Sequence, residues 1–438
     1  MGPVSGLIED HAGALAFLDA RIGHGVKPGL ERIEGLLDLM TRPQEAVPAI
    51  HVAGTNGKTT TVAMIRDLLL ASGVRTGTFT SPHLQRVEER FTIDGRELTE
   101  VGLTAAVADV APFVEIYEAQ AGEHITYFEL NVAAAYQLFA AEGVEAAVVE
   151  VGLGGRWDAT NVVEADVSVI TGIAMDHMSY LGNSISSIAG EKAAILKSEG
   201  RLVTGPLPPA AEGAITARVA ETGAHWFRHG SDFALDDVVL GLGGWHGTIR
   251  GLHRTYEDVY VGLHGRHQLD HFATAVAACE VFFDQALVPE VVAEVGAAMR
   301  SPGRLEVVRR RPLVIVDGSH NEQGLQGLAA ALDLEFPRTR RVLVIGIRGE
   351  RDLPTLLRQI EGRFAEVVAT QAADPESIPA ADVAAAAVGV FGPDVPVDIV
   401  TPVPRAVAAA LGRVSETEMV VVAGSLYVVG EARSVIRP

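Results

Sequence analysis

The sequence predicts an α/β protein made of two units that each alternate short apolar strands with helices. The first indication is segment 46–54, a buried strand that runs into a glycine-rich turn and then into a helix over 59–73. The second is a series of apolar runs after residue 300, alternating with helical segments. The third is the pair Pro302 and Gly303 at the start of that series. These observations predict domains at 1–299 and 300–438.

The elements of the first unit follow from hydrophobic periodicity. Apolar residues between 30 and 40 recur at helical spacing, and prolines follow, so helices are expected over the first 50 residues. Segment 222–263 alternates in the manner of β-hairpins. The remaining candidates are strands at 144–152 and 165–173 and helices near 99–120, 128–142 and 184–197.

The second unit repeats short apolar runs separated by helical segments, the pattern of another α/β domain. An alanine-rich stretch at 380–388 reads as a helix. The candidate strands are 313–318, 341–346, 365–370, 397–401 and 418–424.

Composition excludes several classes of protein. Thirty-five basic against 56 acidic side chains give a net charge of −21, which argues against a nucleic-acid partner. The apolar fraction of 48% is that of a globular chain, and the one cysteine, Cys279, excludes a disulfide scaffold. No signal peptide and no apolar run of about 18 residues is visible, so we expect a cytoplasmic protein with small-molecule substrates.

Segment 54–60 has the composition of a phosphate-binding loop. Its glycines let successive amides point at anionic oxygens, and the following helix adds its dipole. Lys58 supplies positive charge for the outer phosphates, and a hydroxyl from Thr59 or Thr60 can reach a magnesium ion. The chain has only four lysines, Lys27, Lys58, Lys192 and Lys197, which makes a lysine in this loop more informative. The loop predicts nucleoside triphosphate binding and says nothing of the reaction.

Polar residues at two other strand ends are candidate metal ligands, because ligands in open α/β sheets bind beyond the carboxyl ends of the strands. Glu150 follows one strand and His177 follows another, and Ser81 can add a hydroxyl. Lys192 lies in a predicted helix. Burial and positive charge beside metal ions could lower the pKa of its amine, which could then add carbon dioxide to form a carbamate.

Motifs along nearly the whole chain resemble the folylpolyglutamate synthase and dihydrofolate synthase family of the Mur ligase group. The resemblance implies a P-loop, Mur-ligase-type central domain and a C-terminal Rossmann-like, glutamate-ligase domain. The motifs include HVAGTNGKTTT (51–61), TSPHL (80–84), TYFE (126–129), EVGLGGRWDATN (150–161), TGIAMDHMSYLG (171–182), IAGEKAAILK (188–197), PGRLE (302–306) and DGSHN (317–321).

The resemblance also implies roles for matched positions. Catalytic roles fall to Lys58, Lys192, His177, Glu150 and His320. ATP contacts fall to Gly54, Thr55, Asn56, Gly57, Lys58, Thr59, Thr60, His271, Arg304 and Asp317. Two magnesium ions are implied, with Ser81, Glu150, His177 and carbamylated Lys192 as ligands. The pteroate part of the substrate is implied to contact Thr126, Tyr127, Phe128, Glu129, Arg156, Trp157, Asp158 and Ala159.

The sequence departs from the family at several of these positions. Thr59 gives a GKTT form that is usual among the Mur cell-wall ligases. Trp157 replaces a common leucine, and His271 stands where an asparagine near the adenine is usual.

The resemblance implies an ATP-dependent ligase that adds L-glutamate to a folate through an acyl phosphate, acting as a monomer. Dihydrofolate synthase, folylpolyglutamate synthase and a bifunctional enzyme all stay open, with the TYFE and Trp157 segments favouring a pteroate site. The alternative is another Mur-type ligase acting on a cell-wall or polyamino-acid precursor, which the GKTT form favours.

Overall fold

The computed structural model describes residues 8–23 and 28–436. The first seven residues and Lys27 therefore lie outside the described residues, and the structure does not address the signal-peptide expectation. The chain divides into unit 1, Met1–Asp237, Gly247–Val259 and Asp270–Gly296, and unit 2, Val238–His246, Tyr260–Leu269 and Ala297–Pro438. The domain boundary at residue 300 stays a prediction.

Unit 1 contains an eight-stranded sheet whose strand order is β4-β3-β2-β5-β1-β6-β7-β8. Neighbouring strands from β2 to β8 run parallel in that order, and β3 and β4 are antiparallel additions at one edge. The strands are β1 (Ala49–Ala53), β2 (Thr76–Phe79), β3 (Phe91–Ile93), β4 (Arg96–Glu97), β5 (Ala146–Glu150), β6 (Val167–Ile170), β7 (Arg201–Thr204) and β8 (His225–Arg228).

The register of this sheet brings three strand ends together. β1 lies between β5 and β6, with Val52 beside Glu150 and Ala53 beside Ile170. Both faces of β1 are buried, which explains its nearly continuous apolar sequence. The segments that follow β1, β5 and β6 therefore start at one edge of the sheet, as the sequence predicts.

Helices cover both faces of the sheet. Residues of α1, α2, α4 and α5 pack in one apolar cluster that includes Leu36, Phe79 and Phe139, and a second cluster includes Ile188 and Ile215. The helices are α1 (His11–Asp19), α2 (Glu31–Leu39), α3 (Lys58–Ala71), α4 (Glu100–Ala121), α5 (Tyr127–Glu142), α6 (Met178–Leu181), α7 (Ile185–Ala193), α8 (Pro209–Thr222), α9 (His267–Phe283) and α10 (Pro289–Ala298), with 3₁₀ helices at Pro43–Glu45, Val87–Arg90 and Ala159–Val162.

The segment predicted to form hairpins behaves in two ways. Its first strand, β8, joins the large sheet parallel to β7. The rest forms a three-stranded sheet in the order β11-β10-β9, from β9 (Ala234–Gly241), β10 (Gly244–Arg250) and β11 (Thr255–Val261).

Unit 2 contains a six-stranded sheet in the order β12-β13-β17-β14-β15-β16. All neighbours are parallel except β12 and β13. This confirms the C-terminal Rossmann-like α/β domain, and each predicted run contains a strand. The elements are β12 (Glu306–Arg310), β13 (Leu313–Asp317), α11 (Glu322–Leu334), β14 (Arg341–Ile345), α12 (Leu353–Arg358), β15 (Glu366–Ala369), α13 (Ala380–Phe391), β16 (Val397–Ile399), α14 (Val403–Leu411), β17 (Met419–Ala423) and α15 (Leu426–Ile436).

One predicted helix is too long. The helix predicted over 184–197 ends at Ala193, so Lys197 lies beyond it. Within the described ranges, no helix combines the length and apolar character needed to cross a membrane.

Candidate active site

The phosphate loop turns tightly between β1 and α3 because two glycines have close neighbours. A Cβ at Gly54 would lie 1.9 Å from Thr171 Oγ1, and one at Gly57 would lie 2.2 Å from His271 Nε2. Gly57 also has a φ of 81°, a left-handed conformation that favours glycine. His271, predicted to contact the adenine, is therefore packed directly against the phosphate loop.

Hydrogen bonds hold this loop to the segment that follows β6. Thr55 N donates to Gly172 O at 2.9 Å, and Thr171 Oγ1 donates to Asn56 O at 2.6 Å. Lys58 Nζ donates to Gly54 O at 3.1 Å and reaches Thr55 O at 3.4 Å. The lysine thus lies across its own loop at the start of α3, where the helix dipole favours an anion.

Glu150 brings two other predicted residues together. Its carboxylate accepts a hydrogen bond from Thr59 Oγ1 at 3.0 Å and another from Ser81 N at 3.2 Å. Glu150 is 1% exposed, and the buried Ser81 Oγ has no hydrogen-bond partner among the described residues. Because magnesium prefers hard oxygen ligands, an unsatisfied hydroxyl beside a buried carboxylate fits a magnesium site.

His177 lies at the start of α6 in a left-handed conformation, with a φ of 48°. Its main-chain N donates to Asp176 Oδ1 at 2.8 Å, and its Nε2 lies 3.9 Å from the same oxygen. Among residues 8–23 and 28–436, no three His, Cys, Asp or Glu side chains group as a metal site. It stays a prediction that His177 shares a metal site with Glu150, Ser81 and Lys192. Such a site would need the hydroxyl of Ser81 and a carbamate on Lys192 as ligands.

Lys192 is buried on α7, and its Nζ donates to Gly54 O at 2.9 Å. Burial, followed by the positive charge of Lys58, lowers the pKa of Lys192 to about 7, against the opposing charges of Asp176 and Asp158. A substantial fraction of the amine is therefore neutral near pH 7, and the neutral amine is the nucleophilic form.

The predicted pteroate segment begins α5. Thr126 and Glu129 form a reciprocal capping box, and Glu129 also accepts from Arg32 Nε at 3.0 Å. These interactions fix the start of the helix, where Tyr127 and Phe128 are half-buried. A Cβ at Gly152 would lie 2.5 Å from Phe128 Cζ, so this ring packs on the strand-end segment that follows Glu150.

The second predicted pteroate segment combines exposed and internal side chains. Trp157 is 53% exposed, and Arg156 Nε donates to Glu191 Oε1 at 3.0 Å. Asp158 is buried, and both of its oxygens accept internal hydrogen bonds. Ala159 begins the 3₁₀ helix. Arg156 and Trp157 are thus more available to a ligand than Asp158.

Unit 2 gathers its predicted residues at the end of β13. Asp317 Oδ2 accepts from Leu305 N at 2.8 Å, and His320 Nδ1 lies 2.9 Å from Gly318 O. A Cβ at Gly318 would lie 2.9 Å from Arg304 Nη1. Arg304, Asp317 and His320 therefore surround one glycine-containing turn.

The sequence prediction did not assign a role to Thr171 or Asp176. Thr171 contacts the phosphate loop through Asn56, and the charge of Asp176 acts on Lys192. Both follow β6, so the rule that sites lie beyond strand ends could have identified them.

Two family descriptions match this chain. Residues 52–205 match the Mur ligase middle domain, and residues 303–426 match the Mur ligase glutamate ligase domain. These matches correspond to the segment from the phosphate loop through β7 and to most of unit 2.

Relatives of known name match most of the chain. A Mycobacterium tuberculosis dihydrofolate synthase/folylpolyglutamate synthase is 38% identical over 84% of this chain and 79% of its own. A Lacticaseibacillus casei folylpolyglutamate synthase is 34% identical over 92% of this chain and 94% of its own. A solved structure of M. tuberculosis folylpolyglutamate synthase, complexed with ADP and AMPPCP, superposes with a TM-score of 0.93 at 36% identity, covering 98% of this chain and 99% of that one.

Proposed function

Because the chain belongs to the folylpolyglutamate synthase and dihydrofolate synthase family of Mur ligases, we propose that it is an ATP-dependent ligase that joins L-glutamate to folates. The observation that carries the proposal is the grouping of Lys58, Glu150 and Lys192 around one phosphate loop, in a chain aligned with such ligases along most of its length. No Ser-His-Asp arrangement is invoked, because the reaction needs no side-chain nucleophile.

The proposed reaction has two steps. A carboxylate oxygen of the folate attacks the γ-phosphorus of ATP, and the bond to the β,γ-bridging oxygen breaks, giving an acyl phosphate and ADP. The amine of L-glutamate then attacks the acyl carbon, loses a proton, and inorganic phosphate leaves as the amide forms. In such transfers the protein mostly positions the reactants and stabilises the charge that develops.

Residues of the phosphate loop would perform the positioning. Its amides and the α3 N-terminus would hold the phosphates, and Lys58 would leave its contacts with Gly54 and Thr55 to neutralise charge on the transferring group. Ser81 and Glu150, together with His177, would hold magnesium, which supplies further charge neutralisation when bound.

We further propose that Lys192 is carbamylated. Its neutral amine would add to carbon dioxide, forming a carbon–nitrogen bond and releasing one proton. The resulting anion would be the lysine-derived metal ligand, and it would replace the present bond to Gly54 O. Burial of Lys192 at 4% exposure and its pKa of about 7 support this proposal.

Both folate activities are included in the proposal. The relatives carry both names, and the exposed Trp157 beside the internally bonded Asp158 suits a site for the pteroate part. Contacts of Arg304, Asp317 and His320 with nucleotide or substrate belong to the same proposal. The monomeric state and cytoplasmic location stay predictions.

The test is ADP release with ATP, magnesium and L-glutamate, with dihydropteroate and tetrahydrofolate in separate wells and products identified by mass. We expect turnover in both wells. Turnover with tetrahydrofolate alone would remove the dihydrofolate synthase activity. No ADP release with either substrate would overturn the folate proposal and favour a cell-wall precursor as the substrate.

A further inference from the structure

A buried histidine in β1 is linked to the segment that holds Trp157. His51 is fully buried between Val149 of β5 and Ser168 of β6. Its Nε2 lies 2.8 Å from Thr160 Oγ1, in the 3₁₀ helix that follows Asp158. A fully buried imidazole in a central strand requires a partner, and here the partner directly follows the predicted pteroate residues Asp158 and Ala159.

Thr160 connects His51 to Asp158. Its Oγ1 donates to Asp158 Oδ1 at 2.5 Å, and its main-chain N donates to the same oxygen at 3.0 Å. Asp158 Oδ2 accepts from Leu153 N at 2.8 Å. The carboxylate therefore joins the start of the substrate loop, defined here as residues 152–158, to Thr160 just after its end.

The bonding determines the tautomer of His51. A hydroxyl carries one hydrogen, and Thr160 uses it toward Asp158, so His51 Nε2 must be the donor to Thr160. Nδ1 then carries no proton, which agrees with its lack of a hydrogen-bond partner among the described residues. Burial, and secondly the charge of Lys197, lower the pKa of His51 to about 3, so the imidazole is neutral at neutral pH.

Two other contacts fix the same turn. Tyr136 OH, from α5, donates to Thr160 O at 2.9 Å. Lys197 Nζ donates to Asn161 O at 2.7 Å. His51 supplies the contact from β1, the strand that leads directly into the phosphate loop.

We propose that His51 is a positioning residue that acts through Thr160 and Asp158 to hold the substrate loop in the geometry that binds the folate. This inference rests on the proposed folate ligase function. It assigns His51 to folate affinity, because the chain of bonds ends in the loop of Arg156 and Trp157 and includes no group of the phosphate loop.

The test compares His51→Leu, Thr160→Val and the double variant in the ADP-release assay with dihydropteroate. His51→Leu removes the donor to Thr160 Oγ1, and Thr160→Val leaves the buried His51 Nε2 without its partner, so we expect either change to raise the KM for dihydropteroate by roughly tenfold. The KM for ATP should change by less than about twofold, since uniform binding of only one substrate is affected. The rise in KM of the double variant should be smaller than the product of the two single rises, because both changes interrupt the same series of hydrogen bonds.

His51→Gln and Thr222→Val are the matched controls. Glutamine keeps an N–H donor and should recover most of the affinity for dihydropteroate. Thr222 is buried, but its hydroxyl bonds its own helix at Arg218 O, so its loss should leave both KM values unchanged.

The outcomes separate this inference from the proposed function. An inactive wild type would overturn the proposed function. Active variants with an unchanged KM for dihydropteroate, or with both KM values raised alike, or a glutamine variant no better than leucine, would overturn the role of His51. If His51→Leu does not fold, Thr160→Val can be compared with Thr160→Ser instead. Valine removes the hydroxyl that bonds His51 and Asp158, whereas serine keeps it.

Discussion

Lys192 Nζ donates a hydrogen bond to the carbonyl oxygen of Gly54, which joins α7 to the first residue of the phosphate loop. The two residues are 138 positions apart in sequence. A lysine with a pKa of about 7 thus lies against the loop that is proposed to bind the triphosphate. The contact places this amine beside the phosphate loop, where the proposed carbamate would join the proposed magnesium ligands.

Replacing Lys192 tests the carbamate directly. Lys192→Ala should lose most activity, and short carboxylic acids such as acetate should restore part of it by supplying the missing anion. Intact mass of the wild type in bicarbonate should show one added carbon dioxide. Lys58→Ala is the control, because acids cannot replace its positive charge. An unmodified wild type together with no rescue would contradict the carbamate.

Lys58→Ala should lower ADP release by roughly 10²–10³-fold, the usual effect of removing one donor aimed at developing charge. The lysine bonds only main-chain oxygens of its own loop in the described structure, so the fold should survive. The measurement is ADP release at saturating substrates, with the melting temperature recorded in parallel. A folded variant with normal turnover would show that Lys58 has no role in the proposed phosphate site.

Ser81→Ala should raise the magnesium concentration needed for half-maximal ADP release while leaving stability nearly unchanged. The reason is that Ser81 Oγ has no hydrogen-bond partner to lose among the described residues. Ser168→Ala is a matched control, since Ser168 Oγ bonds Ile195 O. The control should lose about 1 kcal/mol of unfolding free energy without a change in magnesium dependence. A Ser81→Ala variant that loses stability but keeps the magnesium requirement of the wild type would exclude Ser81 as a metal ligand.

Most of the framework could be predicted from the sequence because its central strands are buried on both faces. β1, β5 and β17 read as continuous apolar runs, and a loop after such a run marks a strand end. β8 was predicted as a hairpin strand and instead pairs with β7, because it lies at the sheet edge, where its polar and aromatic residues show no continuous apolar pattern.

The remaining site details depend on contacts between distant residues. Glu129 reads as part of a substrate motif, yet its carboxylate pairs with Arg32, 97 positions earlier. The helix predicted to reach residue 197 ends at Ala193, and beyond it Leu196 is buried and Lys197 bonds Asn161 O. Neither partner can be deduced from local periodicity.

Gly152→Ala should disturb the proposed folate site through Phe128. The added Cβ would lie 2.5 Å from Phe128 Cζ and 3.1 Å from Asp158 Oδ2, so the ring must move. We expect a loss of about 1–3 kcal/mol in unfolding free energy, typical of overpacking, and a raised KM for dihydropteroate.

The control for this change is Gly213→Ala in α8, where a Cβ would meet no atom within 4 Å. Alanine there should stabilise the protein by about 0.5–1 kcal/mol, because glycine is unfavourable within a helix. Denaturant unfolding measures both variants, and steady-state kinetics measures the KM. If Gly152→Ala matched the control in stability and in KM, the packing of Phe128 on Gly152 would have no part in folate binding.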